Sequence, residues 1–189
     1  MEDVQIKFIF QLDSKDIEKE LKDVTIQEII EEAFKHEGNK SCCAFKGGFE
    51  IKKSGKIWNS LDGWLLYDDL YMAFNIIKSL IHILNGEKKS DFFFYEESQA
   101  SMFLKGENIT LIDKAFGKII FEATDFKLSA FAKEILKEGE KLNSFIKKLI
   151  IELDRYDDNL RAKDMIDHLK SINSHEIIYE LNTLMKKWK

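Results

Sequence analysis

Between residues 92 and 123 four short runs of β-favouring residues follow one another with almost nothing between them. They fall at 92–97, 101–105, 108–112 and 118–123, the last after Gly117. A parallel pair of strands needs a crossover of about a dozen residues or more, so connections this short demand antiparallel neighbours. Lys105-Gly106-Glu107-Asn108 reads as the hairpin turn between the second and third runs. This meander restricts the chain to folds with an antiparallel sheet.

The rest of the chain supplies what such a sheet needs to be covered. Residues 4–12 form a further strand, in which Val4, Ile6, Phe8 and Phe10 alternate and Ile9 and Leu12 add apolar weight on the other side. From 14 to 37 the pattern is helical. Thr25 and Glu28 fit a capping box, Ile26, Ile29, Ile30, Ala33 and Phe34 share one face, and Glu31 and Glu32 point to solvent. Short strands through Phe49 and Ile51 and through Ile57 and Trp58 flank a turn at Lys53-Ser54-Gly55-Lys56, whose lysines form a solvated tip.

Leu70, Phe74, Ile77, Ile81 and Leu84 then recur at helical spacing until Asn85-Gly86, which marks a helix central to the core. Leu128, Phe131, Ile135, Leu142, Phe145, Leu149 and Leu153 extend a long amphipathic helix from about 127 to 154, with Gly139 as a place where it bends or breaks. Two more helices are expected at 158–171 and 174–187, the second capped by Ser174. The expected architecture is α+β: a mainly antiparallel sheet of short strands, helices packed on one face, and a helical C-terminal region. It is expected to be a single domain spanning 1–189, with 1–126 acidic and 127–189 helical.

Composition agrees with a folded chain. Of 189 residues, 44% are hydrophobic, 15 are Phe and none is Pro. The charged fraction is 33%, above the ~25% of typical domains, but the apolar fraction is too high for disorder. No basic secretory start and no long apolar run is present, and the two cysteines, Cys42 and Cys43, are neighbours that cannot staple distant segments. A cytoplasmic protein with no membrane attachment is the expectation.

The net charge of −5 is unevenly distributed: residues 1–126 carry 16 basic against 23 acidic side chains, and residues 127–189 carry 13 against 11. An acidic body disfavours nucleic acid and favours a basic protein partner, although acidic surfaces more often serve solubility alone.

Motifs for chemistry are few. No phosphate loop or dinucleotide fingerprint occurs, adjacent cysteines lack the spacing of a structural zinc site, and no cofactor or metal is expected. Glu96 and Glu97 sit side by side in a strand, so their carboxylates face opposite ways and cannot act as a pair. The lysines at 147, 148, 186, 187 and 189 read as a solvated helix face. The stretch NSLDGWLLYDDLY crowds aromatic and acidic residues, and Trp58, Asp62, Trp64, Tyr67, Asp68 and Asp69, with Glu96, are the candidate contacts for a basic protein. Core packing is the commoner use of such aromatics. An enzyme remains the alternative: a small hydrolase or transferase whose site is built from scattered carboxylates and His82. A subunit that oligomerises through its C-terminal helices is a third reading.

Over residues 56–150 the layout resembles a known group. A W…DGW segment before a helix, the meander FFFYEE…MFLKGENITLID…KIIFEA and then FKLSAFAKEILKEGEKL are similar to the immunity-type proteins of bacterial toxin systems. The resemblance implies a non-enzymatic protein that neutralises a toxin by binding it. It transfers no functional residue, because that group has no fixed site.

Overall fold

A computed structural model of the chain describes residues 4–12, 17–35, 45–53, 56–58, 70–95, 98–156 and 158–188. Instead of one sheet it contains two, each antiparallel and four-stranded. The first is assembled from β1 (Val4–Leu12), β2 (Ile17–Glu20), β3 (Gly47–Lys53) and β4 (Lys56–Trp58) in the order β2-β1-β3-β4. The second is the meander itself, β5 (Lys89–Tyr95), β6 (Ser98–Lys105), β7 (Asn108–Ala115) and β8 (Lys118–Lys127), paired in chain order. Five helices accompany them: α1 (Ile26–Lys35), α2 (Leu70–Leu84), α3 (Leu128–Leu153), α4 (Leu160–Ser171) and α5 (Ser174–Lys187). The α+β class expected from the sequence is the class observed.

Alternation builds β1 and the core beneath it. Val4, Ile6, Phe8, Phe10 and Leu12 are all buried. Leu12 shares the parity of the others, so it faces the core rather than the opposite side as first read. Phe8 meets Phe10 and Phe49 edge-on at 5.0 and 5.4 Å, and Phe10 lies 5.2 Å from Phe145 of α3. One continuous apolar cluster takes in both sheets and all five helices.

The helix expected over 14–37 is not what residues 17–20 form. Ile17–Glu20 pairs antiparallel with β1 as a short edge strand, with Leu12 opposite Ile17. Its charges suit an edge exposed to water: Lys19 reaches Glu28 at 2.6 Å and Lys7 bonds Glu20. Helix α1 then starts with the expected capping box. The Thr25 N–H donates to Glu28 Oε2 at 3.0 Å and the Glu28 N–H donates to Thr25 Oγ1 at 3.2 Å. Glu31 is exposed as expected, but Glu32 is only 5% exposed. At the far end of α1 the Arg161 guanidinium donates to the carbonyls of Ala33 and Phe34, at 2.8 and 3.3 Å, placing a cation where the helix dipole is negative.

Helix α3 runs unbroken through Gly139, so the glycine does not interrupt it. The glycine serves a close approach: a Cβ there would sit 2.6 Å from Ile178 Cδ1 of α5 and 3.2 Å from Ile77 Cδ1 of α2. One residue earlier, Glu138 reaches back to the first sheet and accepts the Phe8 N–H at 3.1 Å. Sheet geometry explains the need. Leu21 N–H donates to Phe8 O at 2.8 Å just past the end of β2, so the Phe8 N–H on the same side has no strand to receive it.

The ends of the helical layer are tied down as well. Trp188 donates its indole N–H to the Leu84 carbonyl at 3.0 Å, joining the end of α5 to the end of α2. Ser174 is not the cap of α5. Asn173 holds that position, and Ser174 Oγ donates instead to Asn143 Oδ1 at 2.8 Å. Among the described residues no helix is long and apolar enough to cross a membrane.

Candidate interaction surface

The β7–β8 hairpin turns through two consecutive residues of positive φ. Ala115 pairs with Lys118, leaving a two-residue loop of Phe116 and Gly117 with φ of +50° and +73°. Two positive φ angles are what a hairpin turn matched to strand twist requires, and Asn-Gly or Gly-Gly is the usual solution. Gly117 adopts its angle freely. Phe116 does not, because a side chain in the left-handed region costs roughly 1–2 kcal/mol. The other non-glycine residues held there among the described residues are Asp125 and Asn173, of the types that tolerate it.

That strained aromatic is spent on water. Phe116 is 77% exposed, and Ile119, three positions on, is 55% exposed. Lys114 and Lys118 flank them. Large apolar groups therefore stand out at the tip of this hairpin, at a conformational cost that asparagine would avoid.

Directly behind the tip lies Asp113. Along β7 it follows Ile109 and Leu111 on the inward parity, opposite Ala100 of β6, and it is 0% exposed. Neither carboxylate oxygen has a hydrogen-bond partner among the described residues. Burial pushes the carboxyl up to about 7, and a smaller opposing pull comes from the Lys114 N–H, which does not reach hydrogen-bond geometry. A buried acid that holds its proton up to about pH 7 thus lies at the root of the tip.

On the opposite parity polar and apolar residues mix, with Asp91, Ser101 and Ile112 in register and Ser101 buried. Ser101 donates to Asp91, and Lys89 lies 2.9 Å from the same carboxylate. Burial works to raise Asp91, but these bonds outweigh it and hold the carboxyl below its usual range. Further along, β8 bulges at Asp125, and Lys53 of the first sheet donates to the carbonyls of Asp125 and Thr124 at 2.6 and 3.3 Å. One lysine of the KKSGK turn is therefore a bridge between sheets rather than part of a solvated tip.

The residues singled out from sequence fare differently. Trp58 closes β4 opposite Ile51, with its side chain outside the described residues. Asp62, Trp64, Tyr67, Asp68, Asp69 and Glu96 lie outside the described residues, as do Cys42 and Cys43. Tyr95 pairs with Ser98 and Ser98 with Ala115, at the same end of the sheet as Phe116. His82 is exposed and its Nδ1 lies 2.8 Å from Glu87 Oε1, beside the stop of α2. Among the described residues no three His, Cys, Asp or Glu side chains gather as a metal site would require.

Phe116 was missed from sequence because Lys-Ala-Phe-Gly-Lys contains no asparagine to announce the turn. The available signal was the spacing: β-favouring residues resume immediately after Gly117, which forces a two-residue loop and places Phe116 at its exposed corner. Compared with known proteins, the chain matches no family model, no curated protein and no solved structure.

Proposed function

We propose that this chain is a non-enzymatic protein-binding module that engages its partner through the β7–β8 tip. The observation that carries the reading is Phe116, held in a left-handed turn and 77% exposed. Aromatic side chains presented on rigid supports are the residues that dominate interface energies, since little entropy is lost when they are buried. Ile119 widens the apolar contact, and Lys114 and Lys118 select a pocket with acceptors at its rim.

The partner we propose is a basic protein, in the manner of a toxin held by its immunity protein. The surplus of acidic residues over 1–126 supports this, because it would steer a basic partner at long range while the tip supplies the short-range anchor. The resemblance of layout over residues 56–150 points the same way. Under this reading the acidic residues Asp62, Asp68, Asp69 and Glu96, with Trp58, Trp64 and Tyr67, contribute the electrostatic part of the interface.

The test compares tagged wild type with Phe116→Asn in affinity capture from source cells at low and high salt. Asparagine suits the turn, so the variant folds at least as well. Loss of a stoichiometric basic partner from the variant alone is the expected result. Equal retention by both proteins would remove the tip from the interface.

A further inference from the structure

Asp113 is fully buried, and neither of its carboxylate oxygens has a hydrogen-bond partner among the described residues. Burying an unsatisfied polar group is costly, and burying it charged is costlier still. The penalty is therefore modest while Asp113 holds its proton and severe once the proton leaves for water.

Strand pairing changes at this residue. Asp113 lies opposite Phe121, but the next rung joins Lys114 to Ile119, so β8 carries one extra residue, Ile120, in a bulge. Beyond the bulge just two rungs remain, Lys114 with Ile119 and Ala115 with Lys118, before the turn of Phe116 and Gly117. β7 is also paired on its other side, to β6 as far as Ala115 opposite Ser98, whereas β8 is the edge of the sheet. At its second bulge β8 is anchored, because Lys53 of the first sheet donates to the Thr124 and Asp125 carbonyls. The start of β8 has no such tie among the described residues, and Lys118 and Ile119 are exposed. Little apolar burial opposes separation of these rungs, which is the property of segments that open locally.

No neighbouring charge among the described residues replaces the missing partner. Lys114 of β7 and Glu122 of β8 lie on the opposite parity, as does Asp91 of β5, which is held by Lys89 and Ser101. Lys118, opposite Ala115, shares the parity of Asp113 but is exposed. Of the helices against this sheet, α2 carries Lys78 and His82, each with a partner of its own, and the first turns of α3 carry Lys133, Glu134 and Lys137. None of these sets the proton affinity of Asp113, which burial raises against the weaker pull of the Lys114 N–H.

We propose that Asp113 is a pH-operated latch on the β7–β8 tip: with its proton the edge rungs beyond the bulge stay closed, and without it β8 peels from β7 between Lys118 and Phe121, letting water reach the carboxylate. Opening releases the positive-φ turn and with it the fixed placement of Phe116. In the closed state the group titrates at about 7, and once hydrated it returns toward its ordinary 3.8. The open state therefore gains on the closed one as the pH climbs between those values, and the gain levels off above 7. Partner binding at the tip is consequently strongest in mild acid, a consequence that rests on the interface reading above; the latch itself does not.

Native-state hydrogen exchange of the free full chain, followed by NMR at pH 5 and pH 8, tests the latch. Protection of the paired amides between Lys114 and Phe121, corrected for intrinsic exchange at each pH, is expected to fall roughly a hundredfold from pH 5 to pH 8. In Asp113→Asn it should stay level. Low urea separates local opening from unfolding: exchange at the tip should be indifferent to it, whereas exchange in α3 should accelerate. Tip protection that is equal at both pH values, or that follows urea as α3 does, would overturn the latch, and the wild-type series alone decides this if Asp113→Asn does not fold. Affinity capture is a separate readout. Retention of the partner by Phe116→Asn would end the interface reading and leave the latch standing, and flat tip protection with lost capture would do the reverse.

Discussion

The Glu138 carboxylate accepts the backbone N–H of Phe8 at 3.1 Å, across 130 residues of sequence, and so closes the gap left where β2 ends. Glu138 is 6% exposed, and its second oxygen takes Lys141 Nζ at 2.7 Å. Glu138→Ala removes the acceptor of a buried amide and should cost about 1–3 kcal/mol in urea unfolding. Glu138→Gln keeps an acceptor and should recover most of the loss. Lys141→Ala, at an exposed partner, should change stability by less than about 1 kcal/mol.

Asp113 gives stability an unusual pH dependence. Its folded pKa, about 7, lies above its ordinary value of 3.8, so the folded state holds a proton that the unfolded state has released between those values. Stability from this group is complete below about pH 4 and is lost as the pH rises through 7, on the order of 3–4 kcal/mol in all. Asp113→Asn should unfold at the same denaturant concentration at pH 5 and pH 8 as far as this site is concerned, and should be more stable than wild type at pH 8. A wild-type curve that climbs steadily from pH 5 to pH 8 would contradict the assignment.

Glu28 acts in the opposite direction. The Lys19 ammonium, followed by the Thr25 backbone, holds its carboxyl well down at about 2, against an ordinary 4.5. Its contribution is present above pH 4.5 and lost as the pH falls toward 2. Thr25→Ala should cost about 1 kcal/mol at neutral pH through loss of the cap, and thermal melts should show the difference shrinking in acid.

Phe116→Asn should stabilise the isolated chain by about 1 kcal/mol, because asparagine accepts the left-handed angle that phenylalanine resists. A chevron analysis would locate the gain. A gain in stability coupled to loss of the captured partner is the signature of a residue kept for contact rather than for folding.

Gly139→Ala sets helix propensity against packing. The new methyl would press within 2.6 Å of Ile178 Cδ1, so the variant should be less stable than wild type by about 1 kcal/mol despite the better helix former. In an Ile178→Val background that methyl is gone and the same substitution should become stabilising. Additive effects in the double-mutant cycle would mean that the clash relaxes through other side chains.

The meander, the helices at 70–84 and 174–187 and the capping box were legible in the sequence because each rests on local signals: short connections, periodicity and a pair of residues three apart. Ile17–Glu20 was misread because its pairing with β1 is a tertiary choice, made by a partner strand rather than by Ile17, Glu18, Lys19 and Glu20 themselves. Division into two sheets is equally nonlocal, since β1 pairs with β3 across the whole of α1. Asp113 sits in a strand whose alternation marks it as inward, yet an acid in that position reads as a surface residue until burial is known.

The reach from Glu138 to Phe8 also bears on the order of synthesis. Phe8 is made 130 residues before Glu138, so its amide must wait for α3 before its acceptor exists. The β5–β8 hairpins, by contrast, pair with neighbours made moments earlier. β1 is therefore fully secured only once α3 has been translated, and until then its apolar face is one a chaperone could shield.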